Sequence, residues 1–553
     1  MWTFLLVLGC SEKQERLEGA QPDDCIDRAD NDMDGYFDCE DDGCQQSPDC
    51  VDISQPTTEE DSGMPPEETI PDSEDNTGTE DTADTTESEE EDETGEEIEE
   101  TADFTSDYTK TDYTDVLYLG TRFYGAQRCG DNHNWLLTNN SHGDSCHLED
   151  GIDHDSSADM TGGWHDAGDF IKVTLTQSWA VYTLLKGYEV FPNAYTDQDD
   201  PAYSGVSNGI PDILDEVKQA TDYLQKLHPD SQTLISRVGG DQDHDLWVTS
   251  PYQSTLSVAQ GGGARPVYTG AQADVAGITA AALALMAQLY ETFDPNYSTE
   301  CLSLAQSIYT LGKTRPGTTA DTFYPDNTWK DSMLCGAAEL YRATNDTTYL
   351  TDAAQYNQEI GAHWWVVGWD NNTDYCRHSL YLAGESSALD NWETDLASYP
   401  AAINNEQYVN GLAWFLDWGS LRFAMNAAFS AALYYDVTGD ETFRNFAISQ
   451  VDYVLGSNEY NRSFVVGWGV NPPSHPHHAN AYGRDALDWD MSQPFIHSLD
   501  GAMVAGPTKG TTGVSSPGYQ DDITDWVGNE VTIDYNAGFV SSVAFMVHLY
   551  GGQ

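Results

Sequence analysis

Positive charge is scarce in this 553-residue chain: 22 Lys and Arg stand against 94 Asp and Glu, a formal net charge of −72 at pH 7. From Val51 to Thr109 there is no Lys or Arg at all. Such a surface repels polyanions, which excludes nucleic acid as a partner and leaves a neutral polymer open. Beyond the N-terminus no run approaches the ~20 consecutive apolar residues that a membrane-spanning helix requires. Strand-like runs are few and short. No fixed internal repeat is evident, which argues against a repeat solenoid.

The acids are unevenly placed, with 36 before residue 101 and 58 after it. Residues 1–10 form a short apolar run ending in Gly9-Cys10 and followed by polar sequence. They resemble a bacterial lipoprotein signal with Cys10 as the acylated residue, although no basic residue precedes the run; an ordinary signal peptide is the alternative. The expected location is secreted and anchored at the outer membrane or cell surface, with the lipid on Cys10 as the sole membrane contact. Residues 23–50 hold Cys25, Cys39, Cys44 and Cys50, which suggests two disulfides in one of three pairings. Asp30, Asp32, Asp34, Asp38 and Asp41, with Gly35 at the sixth position, have the oxygen spacing of a calcium loop. This module looks more like the Cys-framed calcium repeats of bacterial surface proteins than an EF-hand. Residues 51–105 are rich in Thr, Ser, Glu, Asp and Pro and poor in apolar groups, so they are expected to be a disordered acidic linker.

From residue 108 to 553 the pattern becomes globular. Helical periodicity recurs over 178–188, 210–227, 274–293, 302–311, 332–343, 348–361, 421–437, 442–455 and 538–550, with long loops between. An all-α domain of helix pairs suggests a ring of hairpins, an inner layer inside an outer one. The Ala-rich segment 271–288 suits the inner layer, because small side chains let neighbouring helices approach.

Two segments carry chemistry. Gly162-Gly-Trp-His-Asp166-Ala-Gly-Asp169 places two carboxylates three positions apart in a Gly-rich loop, and Glu530 stands at the mouth of the last apolar helix in Asn529-Glu-Val-Thr-Ile-Asp-Tyr-Asn-Ala537. Paired carboxylates are what glycoside hydrolysis needs, one to deprotonate water and one to protonate the leaving oxygen. With Phe123–Cys129, Asn208–Glu216, Val238–His244, Trp418–Arg422, Ser449–Gly456, Asn471–His478 and Tyr519–Phe539, the chain from about Tyr113 resembles glycoside hydrolase family 9, the inverting cellulases with an (α/α)6 barrel. The resemblance implies that Asp169 is the general base, that Asp166 shares its water, that Glu530 is the general acid and that Asp521 supports the site. It implies sugar contacts from His244, Tyr324, Trp369, Trp418, Arg422, His475, His477 and Tyr535, with Trp247 and Trp329 as weaker candidates. The family usually has Arg after the His-Pro-His-His run, where this chain has Ala479; Arg484 is the nearby substitute.

The resemblance also implies metals and no organic cofactor. Cys129, Cys146, His147 and His165 match a structural zinc site of some members, with a Cys129–Cys146 disulfide as the alternative. Calcium is implied in the barrel as well as in the N-terminal module; Asp331 and Asp370 fall in ligand-bearing regions, and Ser332 stands where Glu is usual. The expected activity is an endo-β-1,4-glucanase working as a monomer on β-1,4-glucan. The alternatives are exo action, a mixed-linkage glucan or xyloglucan substrate, a non-catalytic surface glycan-binding protein, or a calcium-dependent adhesion protein acting through residues 23–50.

Overall fold

The computed structural model describes residues 105–552 apart from 156, 201–206, 364, 404–409, 488–489 and 511–516. The chain divides into two units between Glu99 and Glu100, and the described residues all belong to the second. The signal at 1–10, the four-cysteine module with its Asp30–Asp41 loop, and the linker through residue 104 lie outside them.

Among the described residues, twelve principal helices run in sequence: α1 (Lys110–Gln127), α2 (Thr174–Val190), α3 (Asp212–Lys226), α4 (Ala273–Tyr290), α5 (Pro295–Thr314), α6 (Lys330–Thr344), α7 (Thr347–Ile360), α8 (Thr373–Leu382), α9 (Ala388–Leu396), α10 (Ser420–Thr438), α11 (Glu441–Leu455) and α12 (Ile533–Leu549). Helices α2, α4, α6, α8, α10 and α12 each pack on the next, and α12 returns to α2, so the even-numbered helices close an inner ring. The odd-numbered helices pack outside it, α1 against α12 and the others each against an inner neighbour in sequence. This is the (α/α)6 barrel expected from the sequence.

The hairpins are cut by local chemistry. Asn345, in the left-handed region at φ 58°, ends α6, and the side chain of Asp346 at once caps α7 through Thr348 N. Such a cap satisfies an N–H that the first turn of a helix leaves without a partner. Gly439 and Asp440 do the same between α10 and α11. Inner helices are buried nearly all round. Helix α4 is long and apolar enough to cross a membrane, yet 89% of that window is buried within the protein. Its Gly277 lies against α6 so closely that a Cβ there would meet the Ser332 carbonyl carbon at 2.3 Å. Small residues are therefore what lets α4 and α6 touch, as the Ala-rich composition implied.

Among the described residues, the strands form one small antiparallel sheet of Lys172–Val173 (β1), Ile235–Val238 (β2) and Val267–Thr269 (β3), with Lys172 opposite Val238 and Arg237 opposite Tyr268. It sits immediately after the Asp166–Asp169 loop and helps hold it. A disulfide joins Cys335 on α6 to Cys376 on α8, tying neighbouring inner helices.

Candidate active site

The loop from Gly162 to Asp169 is clamped from several sides. Trp164 is fully buried and its Nε1 donates to Glu216 on α3 at 3.0 Å, while Arg128 at the end of α1 reaches the same carboxylate. Glu216, seen in the sequence only as the end of a matching segment, is thus an anchor for the loop. Gly168 lies on the 477–479 segment: Ala479 N donates to its carbonyl at 2.8 Å, and a Cβ on it would sit 2.1 Å from the His477 carbonyl oxygen. No other residue fits this close approach.

The far end of the chain is stitched to the same loop. Trp526–Asn529 forms a single helical turn that ends at Glu530, and α12 begins at Ile533 with Thr532 as its cap. Ile533 N donates to the Asp166 carbonyl at 2.9 Å, and Tyr124 OH on α1 donates to the Ile533 carbonyl at 2.7 Å. Residues more than 360 positions apart therefore share one wall. The His477 backbone donates to the Asn529 carbonyl at 2.8 Å and brings the histidine-rich loop alongside.

The three carboxylates differ in how they are used. Both oxygens of Asp166 are engaged, Oδ1 by the Thr176 hydroxyl and Oδ2 by the Tyr324 hydroxyl. Asp169 accepts His244 Nδ1–H at Oδ2, 2.7 Å away, and its buried Oδ1 has no hydrogen-bond partner. A buried carboxylate oxygen without a partner is costly unless something it binds supplies one. Burial raises the Asp169 carboxyl, and the His244 hydrogen bond opposes that rise. Glu530 accepts from Trp418 Nε1 at 2.8 Å and Tyr535 OH at 2.9 Å, both on Oε2. Its carboxyl is raised by burial and by the negative charges of Asp534 and Asp169, against those two hydrogen bonds. Asp169 and Glu530 thus feel each other electrostatically, and His244 feels both.

Aromatic and polar groups surround the carboxylates. Trp369 meets the edge of Tyr324 at 5.2 Å, and the Arg422 guanidinium lies 5.6 Å from the rings of both Trp369 and Tyr535. Trp418 is exposed on one side, as a platform for a ligand has to be. His477 donates Nδ1–H to the Ile523 carbonyl at 2.6 Å and packs on Trp247 at 4.2 Å; burial lowers its pKa to about 4, so the ring is neutral. His475 is half exposed beside Phe495 and lies 3.3 Å from Asp521. Asp521 does not touch the other carboxylates by any hydrogen bond; it accepts the Ser474 and His475 backbone N–H groups at 2.9–3.0 Å and organises the histidine loop. Although burial pushes it up, those donors hold Asp521 below the usual carboxylate range. Ala479 is buried under the Asp166–Asp169 loop, and Arg484 turns away to the Pro494 carbonyl. Two residues not singled out in the sequence belong to the site: Thr176, through Asp166, and Asp534, which faces Arg422 Nε at 3.0 Å.

Cys129, Cys146, His147 and His165 converge behind the loop, all buried, with both cysteines free. Their ligand atoms are separated by 3.7 Å (Sγ–Sγ), 3.5 and 3.8 Å (Sγ–N) and 3.3 Å (N–N). A tetrahedral ion with bonds of about 2.3 Å to sulfur and about 2.0–2.1 Å to nitrogen requires edges of roughly 3.8, 3.6 and 3.3 Å. His147 Nε2 pairs with Gln253 Oε1 at 2.9 Å, which leaves Nδ1 to face the cluster. Burial lowers His165 to about 4, so that ring too is neutral. A second carboxylate group lies in the barrel: Asp331 accepts Asn372 N at 2.7 Å, and Asp326, with one buried oxygen unpartnered, is raised to about 9 by burial and by Asp331. Ser332 there bonds Asn372 Nδ2 at 2.9 Å.

Comparison with known proteins decides the family. Residues 113–543 match the sequence model of Glycosyl hydrolase family 9. The chain belongs to this family. Its family 9 relatives include Endoglucanase A of Bacillus pumilus, 33% identical over 79% of this chain and 67% of that protein, and Endoglucanase B of Cellulomonas fimi, 32% identical over 80% of this chain and 42% of that protein. Among solved structures, the cellulase Cel9M of C. cellulolyticum in complex with cellobiose superimposes with a TM-score of 0.69 at 30% identity, covering 80% of this chain and 99% of that one. An endoglucanase from the termite Nasutitermes takasagoensis gives a TM-score of 0.66 at 32% identity, covering 79% and 99%. Family 9 membership and the barrel built here from helix packing therefore agree.

Proposed function

We propose that this protein is an endo-β-1,4-glucanase that hydrolyses β-1,4-glucan by single displacement, with Asp169 as general base and Glu530 as general acid. The observation that carries this reading is two buried carboxyls within electrostatic reach of each other, held by different partners. Asp169 has a free, buried oxygen for a water, and its charge is held by His244. Glu530 is buried and pushed toward its protonated form. One carboxyl with an oxygen open to a water and one pushed toward its protonated form are what inversion requires. The proton leaves water for Asp169 Oδ1 while the glucosidic oxygen takes one from Glu530; the C–O bond breaks as the new one forms. Asp166 acts through Tyr324, whose hydroxyl it orients. Trp369, Trp418 and Tyr535 offer faces for pyranose rings, Arg422 and the neutral His477 offer polar partners for hydroxyls, and His475 stands at the rim.

The relatives are named endoglucanases, which supports internal cleavage. Asp169→Asn and Glu530→Gln are each expected to lower turnover of soluble cellulose derivatives at least a hundredfold with the fold retained, since positioned acids and bases contribute ~10²–10⁴-fold each. Near wild-type rates from either would refute the assignment, and so would turnover-independent glycan binding as the sole activity.

Cys129, Cys146, His147 and His165 would hold Zn²⁺ as a closed structural site that pins the loop through His165, next to Asp166. A divalent ion, Ca²⁺ by its oxygen donors, would supply the positive charge that Asp326 and Asp331 lack. The surface location through Cys10, the monomeric state and the calcium of residues 30–41 belong to the same proposal and rest on sequence.

A further inference from the structure

Tyr324 reaches Asp166, 158 positions away in sequence, from a turn between α5 and α6. Asp321 builds that turn: its Oδ1 accepts the backbone N–H of Phe323 at 2.9 Å and that of Tyr324 at 3.2 Å. Arg237 Nη1 lies 3.0 Å from both oxygens of the same carboxylate, and both side chains are nearly buried. Arg237 belongs to β2, where it stands opposite Val173 of β1, and β1 begins three residues after Asp169. Its guanidinium lies over the ring of Tyr268 on β3 at 4.1 Å and over that of Phe323 at 4.9 Å, so two rings hold it. Phe323 in turn lies 4.9 Å from the ring of His244, which donates to Asp169. One arginine therefore joins the strand that trails the base loop to the turn that carries Tyr324.

We propose that Arg237 and Asp321 are a pair of positioning residues for the base side of this active site: together they set where the Tyr324 hydroxyl meets Asp166. This rests on the Asp166–Asp169 loop being the base side of a hydrolase. The pair acts through Tyr324, since its own contacts are with the turn and the sheet. A carboxylate that accepts two backbone N–H groups and a guanidinium at once leaves the turn little freedom. Without it the turn can drift and part the hydroxyl from Asp166. A displacement of about 1 Å, caused by a change away from the chemistry, can cost ~10²-fold in rate.

The test is a double-mutant cycle in kcat/KM of the full-length protein on cellotetraose, with Tyr324→Phe as the second change. Asp321→Ala should lower kcat/KM roughly tenfold or more while the Tyr324 hydroxyl is present, and no more than about threefold in Tyr324→Phe, where no hydroxyl is left to place. Asp321→Asn keeps an oxygen for both N–H groups and for Arg237, so it should stay within about threefold of the wild type. Arg237→Gln goes through the same cycle if Asp321→Ala does not fold. An equal factor of loss in the two backgrounds, which a merely structural pair would give, overturns the proposal. So does an undiminished kcat/KM in Asp321→Ala, or an Asp321→Asn variant as impaired as Asp321→Ala. Failure of the base assignment is a separate outcome, seen as turnover surviving Asp169→Asn.

Discussion

Single side chains around the two reacting carboxyls pull in opposite directions, and each pull can be read as a limb of the pH profile. His244 lowers Asp169 against burial. In His244→Asn that help is gone, the base needs a higher pH to ionise, and the acidic limb of kcat/KM should move up. Trp418 lowers Glu530 through its Nε1. Trp418→Phe keeps a ring for the sugar and removes the donor, so the alkaline limb should move up. Both are checked by initial rates across pH on a soluble cello-oligosaccharide. Much of this residue set was legible in the sequence, because Asp166, Asp169, Glu530 and their aromatic partners sit in long matching segments. Their division of labour was not. Asp166 is expected to share the water, and each of its oxygens also accepts a hydroxyl, from Thr176 and Tyr324, contacts between residues up to 158 positions apart. Asp534 stood in plain view in the acid segment, and only the fold brings Arg422 to it.

At the scale of elements, the site depends on how tightly a few loops are pressed together. Gly168→Ala would drive a methyl into the His477 and His478 backbone, which cannot yield as a flexible side chain would. Overpacking of this kind costs about 1–3 kcal/mol, and thermal denaturation together with kcat/KM should show lower stability and lower activity. Cys146→Ser should lose one equivalent of zinc by metal analysis and loosen the Asp166–Asp169 loop, with a lower Tm; unchanged metal content would exclude the Cys2His2 site. The helices that periodicity found are mostly those whose inner faces are apolar, such as α4 and α10, and their observed ends lie within a few residues of the expected ones except at the start of α5 and α12. Helices α1, α8 and α9 went unread. In α8 the buried face carries Asp374, Arg377 and His378, the first two hydrogen-bonded to neighbouring elements, so no apolar stripe marks it. The Cys335–Cys376 link gave no signal either, since 41 residues separate the pair and only the α6–α8 contact unites them.

For the whole molecule, six inner and six outer helices form a scaffold on which the base loop, the histidine loop and the start of α12 meet at one opening. The acidic first hundred residues belong to a separate unit, and in our reading they supply attachment and reach. Deleting residues 10–105, Cys10 included, should therefore leave the rate on soluble substrate unchanged while cell-surface retention is lost; a large fall in rate would show that the N-terminal part enters the chemistry. The account as a whole stands on one water held by Asp169 on the face of the sugar opposite Glu530. Hydrolysis of a cello-oligosaccharide followed by proton NMR from the first minutes reports this directly. The newly formed reducing ends should appear in the α-configuration and mutarotate afterwards, and initial accumulation of the β-anomer would contradict single displacement.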